Sequence, residues 1–327
     1  RDLRMSRGLG DVYKRQGQDL SRQLTKAAIY FNELQPLLYG YYICKGVIFL
    51  HGKMSAAVFT VLTAMFMCGC TSDKNTVGQS TEYNGRGGRT PAETAFLTDG
   101  KEKVCYGQGY ETDSDNRPVG AVQAQEKYGS YGGRFIFGKD DRTICLTFDE
   151  GYENGCTGKI LDILKEKKVT ATFYVTLDYV KSSPELVQRM INEGHEVGNH
   201  SCTHPSLPDT SDDMVFEEIQ GLETYISDNF GGYKTVTMRP PRGEFSVRTL
   251  RIAKNMGYDT VLWSFAYNDW NTDAQPDRDT AYRRITSATH NGAVYLLHAV
   301  SETNTAILPD VIDYWLDNGY TVKSISG

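Results

Sequence analysis

The chain has 327 residues, of which 39% are hydrophobic and 23% charged, and this composition excludes an intrinsically disordered protein. Its formal net charge of −6 offers no basic surface for phosphate backbones, so we expect no nucleic-acid partner. The seven cysteines show neither zinc-ribbon spacing nor a dense disulfide framework. The length allows one large domain with additional segments, and we expect a monomer.

The N-terminal third of the chain is expected to lie outside the folded domain. The chain does not begin with methionine, and residues 1–16 have no hydrophobic period, so we interpret residues 1–53 as a non-native or misassigned extension. Residues 54–70 form an apolar run ending in Met-Cys-Gly-Cys, which resembles the signal peptide and lipobox of bacterial lipoproteins. On that resemblance Cys70 carries a membrane-anchoring lipid, and the protein is extracytoplasmic, in the bacterial cell envelope. A plain secretory signal and an uncleaved anchor are the alternatives.

Residues 71–125 are rich in Gly, Ser, Thr, Asn and charge, and we predict a flexible tether there, followed by one catalytic domain over 126–327. Within that domain, short β-branched or aromatic runs alternate with helix-length segments, which is typical of repeated βα units in the α/β class. The predicted strands are 143–148, 171–175, 195–198, 235–239, 260–263, 293–297 and 321–324. The predicted helices are 157–167, 184–193, 212–229, 247–256, 278–288 and 305–318. Seven such units predict a distorted (β/α)7 barrel.

Polar side chains follow five of the predicted strands, at the ends where α/β barrels carry their active sites. These residues are Asp149, Glu150, His200, His204, Arg239, Asp269, Trp270 and His298. A purely structural protein has no reason to place His, Asp, Glu and Arg together at one rim. The sequence therefore predicts an enzyme active site there.

The spacing of His200 and His204 lets two imidazoles face one divalent ion, from a helical turn or a tight loop. Two solvated loop histidines are the alternative for an isolated pair, and Cys202 between them is a further possible ligand. Asp149 and Glu150 form a carboxylate pair after a buried strand, where one can approach a metal while the other takes a proton. An acidic helix N-terminus would give the same pattern.

Five sequence motifs then point to one family. They read LTFDEGYENG, GHEVGNHSCTHP, MRPPRGEFS, WSFAYNDW and VYLLHA, in this order. In this order they resemble the motifs of the polysaccharide deacetylase (NodB-homology) family over about residues 128–327. GYENG, RPPRG and the Ala299 after His298 are most similar to the delta-lactam-biosynthetic de-N-acetylases, which act on N-acetylmuramic acid (MurNAc) of peptidoglycan.

The resemblance implies a role for each matching residue. Asp149 is the expected base that takes a proton from the attacking water, and His298 the acid that protonates the leaving amine. Arg239 is expected to orient the base, and Asp269 to tune the acid. A divalent ion, zinc or else manganese or cobalt, would bind His200 and His204. Glu150 stands at the third ligand position, and Trp270 and Leu296 are expected to wall the acetyl pocket. The candidate substrate contacts are Tyr152, Asn154 and Arg242, with surface packing as the alternative.

Two positions depart from the family pattern. Glu150 stands where most relatives have an Asp that completes the metal ligands, which leaves its ligation open, and Ala266 replaces a frequent acid of the fourth motif. The resemblance implies metal-dependent removal of N-acetyl groups from MurNAc in peptidoglycan glycan strands, on the path to the muramic delta-lactam of spore cortex. A GlcNAc or chitin-type deacetylase, an O-acetyl esterase of the same fold and an inactive cell-wall-binding module are the alternatives.

Overall fold

The computed structural model describes residues 100–327. The predicted extension at 1–53, the signal peptide at 54–70 with Cys70, and the tether up to residue 99 lie outside the described residues. Within the described part, no helix combines the length and the apolar character that crossing a bilayer requires.

Residues 100–327 form a βα succession. Its strands are β1 (Val104–Cys105), β2 (Gly133–Arg134), β3 (Thr143–Glu150), β4 (Thr172–Val175), β5 (Glu196–Asn199), β6 (Thr237–Met238), β7 (Glu244–Phe245), β8 (Asp259–Val261), β9 (Ala293–His298) and β10 (Thr321–Lys323). Its α-helices are α1 (Val119–Tyr128), α2 (Thr157–Lys167), α3 (Leu177–Ser182), α4 (Pro184–Asn192), α5 (Asp212–Asn229), α6 (Val247–Asn255), α7 (Arg278–Ser287) and α8 (Glu302–Asp317). Every predicted strand and helix has a counterpart here, and α8 begins three residues before its predicted start.

The main sheet is parallel and curls into the predicted distorted barrel. β3 pairs with β4 and β10 and also with β9, and the sheet continues from β4 through β5, β6 and β8 to β2. The sheet closes through an isolated bridge between Phe265 and Tyr295. At this seam the amide of Leu296 donates to the carbonyl of Phe265 at 2.8 Å, and the amide of Ser264 donates to Val294 at 2.9 Å.

Alternation along the strands separates two cores, because successive side chains of a strand point to opposite faces. On β3, Leu146 and Phe148 pack in a cluster that includes Leu161 of α2 and Trp315 of α8. Cys145 faces the other way and packs with residues of β4, β8 and β9. The helix-covered face therefore stabilises the fold, and the opposite face is left to line the site.

The predicted tether is wrong between residues 100 and 125, since β1 and most of α1 lie there. β1 pairs antiparallel with β7, and the hydroxyl of Tyr106 donates to the carbonyl of Trp263 at 2.6 Å. The side chain of Gln108 accepts from the Trp263 indole and donates to the carbonyl of Ala266, both at 2.9 Å. We call residues 103–110 the strap. The strap is ordered by backbone pairing and by these side-chain hydrogen bonds. Its polar composition does not reveal these contacts, which is why a flexible tether was predicted.

Candidate active site

Asp149 lies near the carboxyl end of β3 and is held by a buried arginine. Arg239, fully buried just after β6, donates from Nη1 to Oδ1 of Asp149 at 2.8 Å. The other two guanidinium nitrogens donate to the carbonyls of Val261 and Leu262, so each of the three nitrogens has a hydrogen-bond acceptor. The guanidinium also lies 4.3 Å from the ring centre of Tyr174. Arg239 is therefore a fixed cation aimed at Asp149.

These surroundings keep Asp149 ionised. Burial by itself would raise the pKa of the Asp149 carboxyl, but the charge of Arg239, with smaller contributions from His200 and His298, brings the pKa below its usual value. Its Oδ2 is not engaged by Arg239 and lies 3.6 Å from Nε2 of His200. A carboxylate with one oxygen anchored and the other facing the site has the geometry of a general base.

The histidine pair sits on a strained loop after β5. Ser201 and His204 have φ of 70° and 58°, in the left-handed region that non-glycine residues rarely adopt. The hydroxyl of Ser201 accepts from the His204 amide at 3.0 Å, and the side chain of Asn199 accepts from the Ser201 amide at 2.9 Å. Glu218 of α5 accepts from both the amide and the hydroxyl of Thr203. This loop geometry brings the two imidazole ring centres to 5.0 Å.

The orientation of His200 suits a metal ligand. Its Nδ1 hydrogen-bonds the carbonyl of Arg239 at 2.8 Å, which assigns the ring proton to Nδ1 and leaves Nε2 as an acceptor facing Asp149. Burial lowers the pKa of His200 to about 4 and also lowers the pKa of His204. Both rings are therefore neutral at neutral pH, the form that binds divalent ions.

His298 lies beside Asp149 and is hydrogen-bonded to a buried carboxylate. The two residues occupy paired positions on β9 and β3. Asp269, fully buried, accepts from Nδ1 of His298 at 2.7 Å and from its backbone amide at 2.9 Å. Burial lowers the pKa of His298, but the hydrogen bond and charge of Asp269 outweigh burial, and the resulting pKa lies above its ordinary value.

The structure does not bring Glu150 to the histidines. β3 continues through Glu150, so alternation turns this side chain away from the face that carries Asp149. Glu150 is fully buried, its Oε2 is 3.5 Å from the hydroxyl of Thr157 at the start of α2, and its Oε1 has no hydrogen-bond partner among the described residues. Burial, followed by the charges of Glu153 and Asp149, raises the pKa of Glu150 well above its usual value. The interpretation of Glu150 as a metal ligand is corrected accordingly: its side chain lies on the wrong face.

The donor set fits a divalent ion through two imidazoles. Among residues 100–327, no group of three or more His, Cys, Asp or Glu side chains is arranged to hold a metal. His200 and His204 nonetheless offer neutral rings on one loop, and Cys202 hydrogen-bonds toward α5, with its Sγ 4.0 Å from the carbonyl of Glu217. The histidine pair would hold such an ion through ring nitrogens, which are common ligands of zinc.

The predicted substrate contacts fall into two groups. Tyr152 and Trp270 are about half exposed, and Arg242 is exposed with φ of 61°. The Trp270 ring centre lies 5.8 Å from that of His298, which makes Trp270 a wall of the site. Asn154 instead donates to the carbonyl of Val300 at 2.8 Å, and Leu296 is a buried residue of β9 on the inner face.

Four residues that support the site were not predicted from the sequence: Asn304, Glu218 and Tyr174 lie outside the five motifs, and Tyr267 lies within the fourth. Asn304 on the first turn of α8 donates to Asp269 at 2.6 Å, and Tyr267 hydrogen-bonds Asn304. Glu218 supports the histidine loop and Tyr174 supports Arg239. The sequence gives no signal for Asn304, because its burial and its contact with Asp269 exist only in the folded structure.

Comparison with known proteins agrees with this geometry. The family model described as polysaccharide deacetylase matches residues 138–261. The peptidoglycan-N-acetylmuramic acid deacetylase PdaA of Bacillus subtilis is 42% identical over 200 residues, 61% of this chain and 75% of the relative. An uncharacterized 30.6 kDa protein of Geobacillus stearothermophilus is 41% identical over 218 residues, 66% of this chain and 82% of the relative.

A solved structure agrees as well. The B. subtilis PdaA structure, described as a family 4 carbohydrate esterase, matches with a TM-score of 0.66 and 38% identity, covering 69% of this chain and 96% of that one. Asp149, the histidine pair and His298 lie within three of the five motifs. On these matches the chain belongs to the polysaccharide deacetylase family and is a carbohydrate de-N-acetylase.

Proposed function

We propose that this protein removes N-acetyl groups from MurNAc in peptidoglycan by metal-dependent hydrolysis. The observation that carries the proposal is the pairing of Asp149 and His298 on neighbouring strands, with their pKa values shifted in opposite directions. Two titratable groups whose surroundings separate their pKa values are the usual arrangement of a base and an acid. The 42% identity to PdaA supports the choice of substrate.

The residues divide the hydrolysis of the amide between them. Oδ2 of Asp149 takes a proton from the attacking water, while Arg239 holds Oδ1 and keeps the carboxylate oriented. His298 donates a proton to the departing nitrogen, so that an amine leaves and acetate is formed. Asp269 stabilises the protonated imidazole before transfer. Trp270 covers the acid from the solvent side.

His200 and His204 would hold the divalent ion, zinc by preference. When bound there, such an ion lowers the pKa of a coordinated water toward about 7 and polarises the acetyl carbonyl. The strained loop fixes the two imidazoles before any ion arrives, because Ser201, Asn199 and Glu218 hold the loop backbone.

Arg242 supports muramic acid as the substrate. MurNAc differs from GlcNAc in its lactyl ether, which ends in a carboxylate, and a guanidinium can pair with a carboxylate through two hydrogen bonds. Arg242 is exposed beside the histidine loop, where its charge lowers the pKa of His204, and no ion pair is found for it among residues 100–327. Tyr152 and Asn154 complete the proposed contact surface, with Leu296 behind the acetyl group.

Acetate release from defined substrates tests this function. We expect release from MurNAc-containing glycan strands and little from chitooligomers. Release from chitooligomers alone would assign a GlcNAc or chitin-type activity, and release only from O-acetylated glycans would assign an esterase. No release from any of them would favour a wall-binding module.

Two further measurements refine the test. Chelation should abolish release, and zinc, manganese or cobalt should restore it. Arg242→Gln should raise KM for MurNAc strands while leaving any chitooligomer activity unchanged. Arg283→Gln, at an exposed position of α7, serves as the matched control. An equal effect of Arg242→Gln on both substrates would contradict recognition of the lactyl group.

We further propose that the protein works outside the cytoplasm, where its substrate lies, on the path to the muramic delta-lactam of spore cortex. Cys70, outside the described residues, is the proposed site of a lipid anchor. Cys70→Ala should move the protein from the membrane fraction to the soluble envelope fraction without changing acetate release. An unchanged amount of Cys70→Ala protein in the membrane fraction would contradict a lipid anchor at Cys70.

A further inference from the structure

The carboxylate that holds His298 has a third hydrogen-bond donor. Oδ1 of Asp269 accepts from Nδ1 of His298, and Oδ2 accepts from the His298 amide at 2.9 Å and from Nδ2 of Asn304 at 2.6 Å. Asn304 is 2% exposed and Asp269 is fully buried. Without Asn304, one oxygen of a buried carboxylate would retain a single donor, and a buried charge with unmet hydrogen bonds is costly.

A second contact fixes the orientation of the Asn304 amide. The hydroxyl of Tyr267 donates to Oδ1 of Asn304. A phenol that donates to the amide oxygen forces the NH₂ group to the opposite side, toward Asp269. Tyr267 and Asp269 lie on the same loop after β8, and Asn304 lies on α8, so the amide joins two separate elements.

The backbone of Asn304 is also fixed. Ser301 caps α8 by accepting from the Asn304 amide at 3.0 Å, and the Ser301 hydroxyl hydrogen-bonds Gln275. Gln275 in turn donates to the carbonyl of Asp269 at 2.7 Å. The first turn of α8 and the loop that carries Asp269 are therefore tied together at both backbone and side chain.

We propose that Asn304, oriented by Tyr267, is a positioning residue that fixes the Asp269 carboxylate so that its Oδ1 is directed at Nδ1 of His298. The inference rests on the proposed function, in which His298 is the acid. Asn304 touches neither the reacting atoms nor the histidine pair, so its effect on the reaction passes through Asp269.

The test uses the zinc-loaded full chain and two variants. Asn304→Leu keeps the branched side-chain shape but removes donor and acceptor, and Tyr267→Phe removes only the hydroxyl. We expect kcat to fall about 10- to 100-fold in Asn304→Leu and less in Tyr267→Phe, with KM little changed, since outer-shell partners of a site have effects of this size. Asn318→Leu is the matched control, because Asn318 follows the other end of α8 and its side chain donates to the carbonyl of Tyr314 in that helix.

A proton NMR signal provides a readout that does not depend on substrate. The Nδ1 proton of His298 should give a downfield resonance that His298→Gln removes. In Asn304→Leu this resonance should broaden or vanish, while thermal unfolding shows a folded protein. If Tyr267 acts through Asn304, adding Tyr267→Phe to Asn304→Leu should cause little further loss of kcat.

The outcomes separate the two proposals. A folded Asn304→Leu variant with an unchanged His298 resonance and unchanged kcat would overturn the positioning role. Additive losses in the double variant would overturn the action of Tyr267 through Asn304. If Asn304→Leu does not fold, the Tyr267→Phe resonance decides alone. Absence of acetate release by the unaltered protein would instead refute the proposed function, and the resonance would still report on His298.

Discussion

Asp149 and His298 are held by partners of opposite charge, and each partner is itself buried. Arg239 donates to two carbonyls and a carboxylate, and Asp269 accepts three hydrogen bonds. Buried charges tolerate removal of a partner poorly, because the remaining charge is left without compensation. A substitution in the site should therefore preserve the shape and the hydrogen bonds of the replaced side chain. Its effect on the reaction can then be separated from an effect on stability.

Asp149→Asn meets that condition. The amide oxygen still accepts from Arg239, so the fold should be preserved, while the loss of the base should lower acetate release about 10²- to 10⁴-fold. Acetate assays and circular dichroism measure the two effects. Asp259→Asn, which alters an exposed pair with Arg134, is the control. Undiminished release from Asp149→Asn would refute Asp149 as the base.

The pH profile of kcat should show both shifted groups. Release requires ionised Asp149 and protonated His298, so the rate should rise with pH through the lowered pKa of Asp149 and fall above the ordinary histidine value of about 6.5. Asp269→Asn removes the charge that raises the pKa of His298, so the alkaline limb should move to lower pH. The acidic limb should stay in place. An unmoved alkaline limb in Asp269→Asn would contradict His298 as the acid.

At the level of elements, the strap shows how a polar segment becomes part of a folded domain. Two residues of β1 pair with β7, and Gln108 bridges the end of β8 to the loop that leads to Asp269. Such a segment has no hydrophobic period from which its order could be predicted. Its order depends on partners more than 130 residues away in sequence, which composition alone does not reveal.

Gln108→Ala should therefore weaken the domain. It leaves the Trp263 indole and the Ala266 carbonyl without these partners, which we expect to lower the free energy of unfolding by about 1–3 kcal/mol. Urea denaturation measures the loss. Tyr110→Ser in the same strap is the control, because Tyr110 is 87% exposed. Equal midpoints for Gln108→Ala and the unaltered protein would show that the strap adds no stability.

For the whole molecule, the barrel and most of the site follow from the sequence. Helices α2 and α5 have their predicted bounds, because amphipathic periods and caps such as Ser211 are local signals. Glu150 was misassigned because β3 runs two residues beyond its predicted end. Asn304 and Tyr267 could not be predicted, since their importance comes from contacts between elements distant in sequence.

Stability of the whole domain should fall in mild acid. His290 is buried, with Nδ1 on the Ala288 carbonyl and Nε2 on the Ser264 hydroxyl, and burial lowers its pKa to about 4. A histidine whose folded pKa lies below its unfolded value of about 6.5 contributes full stability above that value and loses it as pH falls toward 4.

His290→Gln should reduce this dependence. The variant cannot take up the proton, so the stability lost between pH 7 and pH 4 should shrink by about 2–3 kcal/mol. Urea midpoints at several pH values provide the measurement, and His200 should continue to contribute in both proteins. An identical pH slope in the variant would show that His290 is not a source of acid sensitivity.

The seam between Phe265 and β9 has a consequence for how catalysis is lost. Only a few amide–carbonyl bonds close the barrel there, and the segment that follows Phe265 carries Asp269. Amide protons of Ser264 and Leu296 should consequently exchange with deuterium faster than those in the middle of β3, through local opening that leaves the rest of the barrel intact. Each opening would draw Asp269 away from His298. Heat or denaturant should thus abolish acetate release before the domain unfolds. The midpoint of activity loss should therefore lie at a lower temperature or denaturant concentration than the midpoint of unfolding measured by circular dichroism.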